Sequence, residues 1–289
     1  MSDRPLTLFD LSPGKVLADR FQIQRPLRQG GMSATFVVND TEADAERELQ
    51  VFPAALFDGP EQTEEFAELL GRWRALETDV VLAVREVSVR GDGSLLLVTD
   101  LPPGESLRTW LTENERMPVE DVRALGLRLL GGLREAHDAG LVHGDIKPHA
   151  IHTSGRPEEA VLVDGGITSG LWQAKHLGDR TALIGTPFYA PVEQFGGESP
   201  DVQSDLYNLA TVLYELCLGV VPWPGKSFLE IFQGKLEKQP PRMASRCREV
   251  EVPGELEEAI VGGLMADRRE RYATAAEFEA ALAAVPTPD

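Results

Sequence analysis

The chain has 289 residues, 42% hydrophobic and 26% charged, a globular composition that excludes wholesale disorder and suits one large domain or two modest lobes. Its 47 acidic against 28 basic residues give a net charge of −19, which disfavours nucleic acid and anionic membrane as main partners. No apolar run approaches the roughly 18 residues of a membrane span, no secretory leader is expected from the opening residues, and only two cysteines are present, Cys217 and Cys247, in ordinary sequence. A disulfide scaffold or zinc site is therefore excluded, and a reducing, cytoplasmic setting is expected.

Residues 1–20, with Pro5, Pro13 and Gly14, read as a loose lead-in, and 21–101 form a strand-rich part. FQIQRPL and ATFVVND carry β-branched and aromatic residues on either side of the turn QGGMS; ERELQVF alternates, and LLLVTD is a short buried-type run. Between the last two, Phe66, Leu69, Leu70, Trp73 and Leu76 recur at helical spacing and predict a helix over 61–76. After PPGES the pattern turns helical, with helices predicted over 107–112, 119–139, 205–218, 256–265 and 275–284. The helix-rich part runs from 102 to 284, and 285–289 form a short tail.

Six motifs then stand in one order: QGGMS, HGDIKPHAI (143–151), VDGG (163–166), GTPFYAPVEQ (185–194), SDLYNLATVLYELCLGVVPWPG (204–225) and DRRERY (267–272). In this order and at these separations the chain resembles a bacterial eukaryotic-like serine/threonine protein kinase over about residues 21–284. The resemblance implies an α+β, two-lobed protein-kinase-like fold, with a β-rich N-terminal lobe, a helical C-terminal lobe and ATP with Mg²⁺ as the family's cofactors. Resemblance of fold leaves the chemistry to be checked group by group.

The family's glycine-rich loop lets backbone N–H groups approach the phosphates. Here only Gly30 stands at its place, beside Gly31, while Arg28 and Ser33 replace the outer glycines; the loop is equally a tight hairpin turn. The nucleotide-pairing lysine falls on Gln50, which has no charge to offer. Arg28 or Arg47 could substitute for it in principle, although guanidinium differs in shape from ammonium. Its glutamate partner falls on Leu69, with Glu68 beside it read as a solvated helix residue. The base pocket falls on Thr35, Glu48 and His152, all polar. A buried carboxylate needs a partner, and Glu48 is expected either to reach water or to meet His152 and close the base site. In the connector, Thr99, Asp100 and Pro102, the proline cannot supply the backbone N–H that adenine needs.

The resemblance places the proton-accepting aspartate at Asp145, the phosphate-steadying lysine at Lys147 and a metal-binding aspartate at Asp164, whose phenylalanine neighbour is lost to Gly165. Gly144 replaces the arginine that reads a phosphorylated loop. Ala150 replaces the second metal ligand, and a methyl group cannot ligate Mg²⁺. Architectural residues match: His143, Pro148, Asp205 and the ion pair Glu193–Arg271, with Thr186 at a substrate-facing position or an ordinary loop position. The expected function is therefore a pseudokinase, a regulatory or scaffolding module with lost or severely impaired ATP binding, no cofactor, and a protein partner such as an active kinase. The alternative is a divergent, weakly active kinase using ATP and Mg²⁺; a different small molecule in the base site is a third reading. Candidate partner surfaces are Trp223-Pro224-Gly225 and the expected loop 166–180, where Leu171 and Trp172 are expected to fold back onto the lobe.

Overall fold

The computed structural model describes residues 6, 11–29, 32–175, 187–236 and 239–286. Gly30, Gly31 and Thr186 lie outside the described residues. Contacts divide the chain into two compact units. One contains Met1–Glu77, Leu82–Leu101 and Gln173–Lys175, the other Thr78–Val81, Pro102–Trp172 and His176–Asp289.

The first unit is built on a six-stranded antiparallel sheet of β1 (Val16–Leu17), β2 (Phe21–Gln29), β3 (Ala34–Asp40), β4 (Ala45–Phe52), β5 (Val84–Val89) and β6 (Leu95–Thr99), in the order β1-β2-β3-β4-β6-β5. Strand β5 is the one strand of this sheet, apart from the short β1, that the sequence pattern did not single out. Side chains alternate across the sheet. Phe21, Ile23, Phe36, Val38, Leu49, Val51, Leu96 and Val98 gather on one core face, so Glu48 and Gln50, between them on β4, belong to the other. Two register shifts, between Ile23 and Arg25 and between Pro26 and Arg28, let β2 carry a proline without breaking its pairing to β3. Helix α1 (Pro60–Gly71) buries Phe66 edge-on against Phe52, with ring centroids 5.2 Å apart. The predicted helix over 61–76 thus ends early as α-helix, and its last turn tightens to a 3₁₀ turn at Arg72–Ala75.

The second unit is mainly helical: α2 (Leu107–Asn114), α3 (Val119–Asp138), α4 (Ile167–Ala174, which begins here), α5 (Val192–Phe195), α6 (Val202–Leu218), α7 (Phe228–Lys235), α8 (Met243–Arg246), α9 (Gly254–Gly262) and α10 (Ala275–Ala283). A small sheet, β7 (Glu105–Ser106), β8 (Ile151–Thr153) and β9 (Val161–Leu162), in that order, follows the motif HGDIKPHAI, whose last residue, Ile151, begins β8. Every residue of α6 from Ser204 to Leu218 is buried, as befits a helix apolar around most of its circumference. Asp201 and Ser204 close a capping box at its start. The α+β arrangement, with a β-rich N-terminal unit and a helical C-terminal unit, is the one the sequence predicts.

Two expectations need correction. The segment after Asp164 is not a loop in its first half: ITSGLWQA forms α4, because its apolar side chains are buried well enough to offset the cost of Gly170 in a helix. Leu171 and Trp172 are fully buried there, folded back as expected; residues 176–180 lie outside the described residues. Trp223 is not displayed on a surface. It is 5% exposed and stacks on Tyr207, with centroids 5.9 Å apart. Among the described residues, no helix is long and apolar enough to cross a membrane.

Candidate active site

The positions picked out by the motifs fall in both units. In the first unit, Gln50 sits on β4 opposite Thr35 of β3 and Leu97 of β6. Its side-chain amide donates to Ser33 Oγ at 2.8 Å. The two residues that the resemblance sets at the lysine and an outer-glycine position are thus bonded to each other. Glu48 is 4% exposed, and Arg28 Nη2 donates to its Oε1 at 2.6 Å. The β2–β3–β4 register explains the encounter: Arg28 lies opposite Thr35, and Glu48 lies opposite Val37, two residues further along β3 and so on the same face. Arg47 pairs with Asp100 at 2.9 Å, and Arg85 grips the same carboxylate through two nitrogens. Both arginines considered as substitutes for the lysine are therefore engaged with acids of this unit. Thr99 ends β6, between Glu48 and Val84. Glu68 is an exposed residue of α1, as expected.

In the second unit, the catalytic loop hangs from α6. Asp205, fully buried, accepts the backbone N–H groups of His143 and Gly144, each at 2.8 Å, and faces His137 Nε2 at 3.0 Å. Multiple charge-assisted bonds of this kind fix a loop firmly. His143 Nε2 faces the Val163 carbonyl at 2.8 Å and so carries the ring hydrogen, leaving Nδ1 to accept the Asp145 N–H at 3.3 Å. Lys147 bonds directly to Asp145. Burial raises the Asp145 carboxyl above its ordinary range. Lys147 opposes that shift, and Asp164 adds to it. Asp164 itself is held at φ 63°, a left-handed conformation uncommon for a side-chain-bearing residue, and its strain marks a constrained position.

The donor set does not fit a two-ligand Mg²⁺ site. Ala150, the end of a 3₁₀ turn at Pro148–Ala150, is 2% exposed and accepts the Val163 N–H through its carbonyl at 2.9 Å. A buried methyl group thus stands at the position that the resemblance gives to the second ligand, and exposed His149 beside it is a poor ligand for a hard cation. Pro102 has no N–H to offer a base. His152 lies on β8, paired with Ser106 and Val161.

The architectural residues are fully assembled. Arg271 pairs with Glu193 through both terminal nitrogens, at 2.7 and 3.2 Å, and also donates to the carbonyls of Met265 and Gln203. Several anchors were not foreseen. Arg108, Tyr189 and Glu215 form a closed triangle, with Arg108 Nη2 2.9 Å from the carboxylate and both Arg108–Tyr189 and Tyr189–Glu215 at 2.5 Å. Burial pushes the Tyr189 phenol far above its ordinary value. Lys235, 1% exposed, donates to the Phe188 and Ala190 carbonyls at 2.8 and 2.7 Å within a cage of Phe195, Tyr207 and Trp223. Burial holds its amine well below the ordinary lysine range. The one sequence signal for these anchors was the aromatic richness of the segment Phe188 to Trp223.

Comparison with known families matches residues 64–278 to the protein kinase domain. Among curated proteins, the chain is 31% identical over 271 residues to the serine/threonine-protein kinase PknL of Mycobacterium bovis, covering 93% of this chain and 66% of that protein. It is 26% identical over 280 residues to the serine/threonine-protein kinase pkn3 of Myxococcus xanthus, covering 94% of this chain and 51% of that one. The chain thus spans between half and about two thirds of the length of these relatives. The crystal structure of the Mycobacterium tuberculosis PknI kinase domain superposes with a TM-score of 0.72 at 22% identity, covering 94% of this chain and 98% of that one.

Proposed function

The chain belongs to the protein kinase family, and we propose that within it this protein is a pseudokinase: a regulatory or scaffolding module that acts through a protein partner, with ATP binding and phosphoryl transfer lost or severely impaired. One observation carries the reading. Gln50, which the resemblance sets at the lysine position, bonds to Ser33, while Arg28 and Arg47, the two arginines that could substitute in principle, are committed to Glu48 and Asp100. If the missing lysine and the missing second metal ligand each supplied about 3–4 kcal/mol of transition-state stabilisation, their joint loss is about 10⁴–10⁶ in rate. Such losses are not strictly additive. A cytoplasmic setting belongs to the same proposal.

A second reading, a divergent and weakly active serine/threonine kinase using ATP and Mg²⁺, is favoured by a different observation. The relatives are named as serine/threonine kinases. Asp145, Lys147 and Asp164 are kept, and Asp205 still braces the loop that carries Asp145. Transfer of labelled phosphate from ATP, with Mg²⁺ or Mn²⁺, separates the two. The pseudokinase reading expects incorporation no higher than in Asp145→Asn. Incorporation that Asp145→Asn abolishes would establish the second reading.

A further inference from the structure

We propose that Gly144 and helix α4 form an internal clasp, in which the segment after Asp164 docks onto the catalytic loop and holds it closed. The observations lie within the second unit. Helix α4 starts three residues after Asp164, and the connection is tight: Gly166, at φ 78°, donates to the His143 carbonyl at 3.3 Å. From Ile167 to Trp172 every residue of the helix is buried, including Thr168 and Ser169. Ser169 Oγ donates to the Val142 carbonyl at 2.6 Å. Two successive carbonyls where the chain enters the HGDIKPHAI loop, those of Val142 and His143, are therefore held by α4 and the glycine that leads into it.

The docking needs a glycine at 144. Gly144 has φ 87°, and a Cβ built on it would stand 2.8 Å from the Ser169 backbone nitrogen and 3.1 Å from Ser169 Cβ. The nitrogen belongs to the helix backbone and cannot rotate away, so any side chain at 144 displaces α4. The glycine that removes the family's arginine thus has a second consequence: it opens the space the helix occupies. The closed arrangement is built into the sequence and requires no modification of the chain. It holds whether or not phosphoryl transfer is retained, so its failure is distinguishable from failure of the functional reading.

Hydrogen–deuterium exchange of the whole chain tests the clasp, comparing Gly144→Ala with Gly155→Ala. Gly155 shares a positive φ, 106°, but has nothing within 4 Å of a built Cβ, so it isolates backbone strain from contact. The clasp predicts that Gly144→Ala speeds exchange in 167–174 by about tenfold or more, while α6 stays protected and Gly155→Ala leaves 167–174 unchanged. Exchange in 167–174 no faster in Gly144→Ala than in Gly155→Ala overturns the proposal, as does opening of α4 and α6 together. If Gly144→Ala does not fold, Ser169→Ala decides. Loss of the bond to Val142 predicts about two- to tenfold faster exchange in 167–174, and unchanged exchange contradicts the clasp.

Discussion

Arg28 and Glu48 meet at 2.6 Å, joining β2 to β4 across β3. The acid is buried and the guanidinium about one third exposed. By resemblance, Arg28 stands where a loop glycine would admit phosphates and Glu48 where an apolar side chain would cover a base. Each change alone is a defect in a nucleotide site. Together they neutralise each other, which is how a buried acid is tolerated there.

The pair is unequal, and its two halves predict unequal losses. Arg28→Ala leaves a buried carboxylate short of its partner and is expected to destabilise the chain by about 1–3 kcal/mol, below the full cost for a buried pair because Arg28 is partly solvated. Glu48→Gln keeps the shape and removes the charge, and is expected to cost less than Arg28→Ala. Urea denaturation of both variants and the double variant checks the order; equal losses in the two single variants contradict it.

Asp205 serves the catalytic loop rather than α6. Asp205→Asn keeps one acceptor for the two N–H groups of His143 and Gly144 and turns the other position into a donor. The expected result is a destabilisation of about 2–4 kcal/mol, with exchange at 142–146 speeding more than exchange in the middle of α6. Uniform loss of protection through α6 contradicts the assignment.

Acid sensitivity is expected to reside partly in the first unit. The Arg20 guanidinium grips Asp40 through two bonds of 2.6 Å and, with backbone N–H groups of Ala43 and Glu42, holds its carboxyl at about 2. A carboxyl lowered in the folded state adds stability above its unfolded value and loses it as pH falls. The contribution of Asp40 therefore disappears between about pH 4, where the unfolded group titrates, and about pH 2. Asp40→Asn is expected to flatten the thermal midpoint against pH over that interval, while remaining less stable than the native chain near neutrality. A parallel decline in the two proteins contradicts it.

Much of the fold was legible because its signals are local and periodic. The helical spacing of α3, α6 and α10 and the ordered motifs suffice to place them, and Glu193 and Arg271 pair although 78 residues separate them. What escaped was set by tertiary register. Arg28 reaches Glu48 only through the pairing of three strands, including two irregularities in β2 that no periodicity announces. Helix α4 was hidden within the expected loop 166–180, whose opening Gly166 serves a close approach to the His143 carbonyl. Lys235 was not singled out, because its burial depends on the Phe195, Tyr207 and Trp223 rings brought around it from elsewhere in the chain. That same convergence took Trp223 off the surface.

The account turns on whether a triphosphate is still held, and calorimetric or thermal-shift titration with ATP, with and without Mg²⁺, measures that directly. Ligand binding to the folded state alone raises the midpoint with concentration. The prediction is no metal-dependent stabilisation for the native chain, and its appearance only when Gln50→Lys and Ala150→Asn are introduced together. A clear Mg²⁺-dependent rise in the native chain would contradict the account.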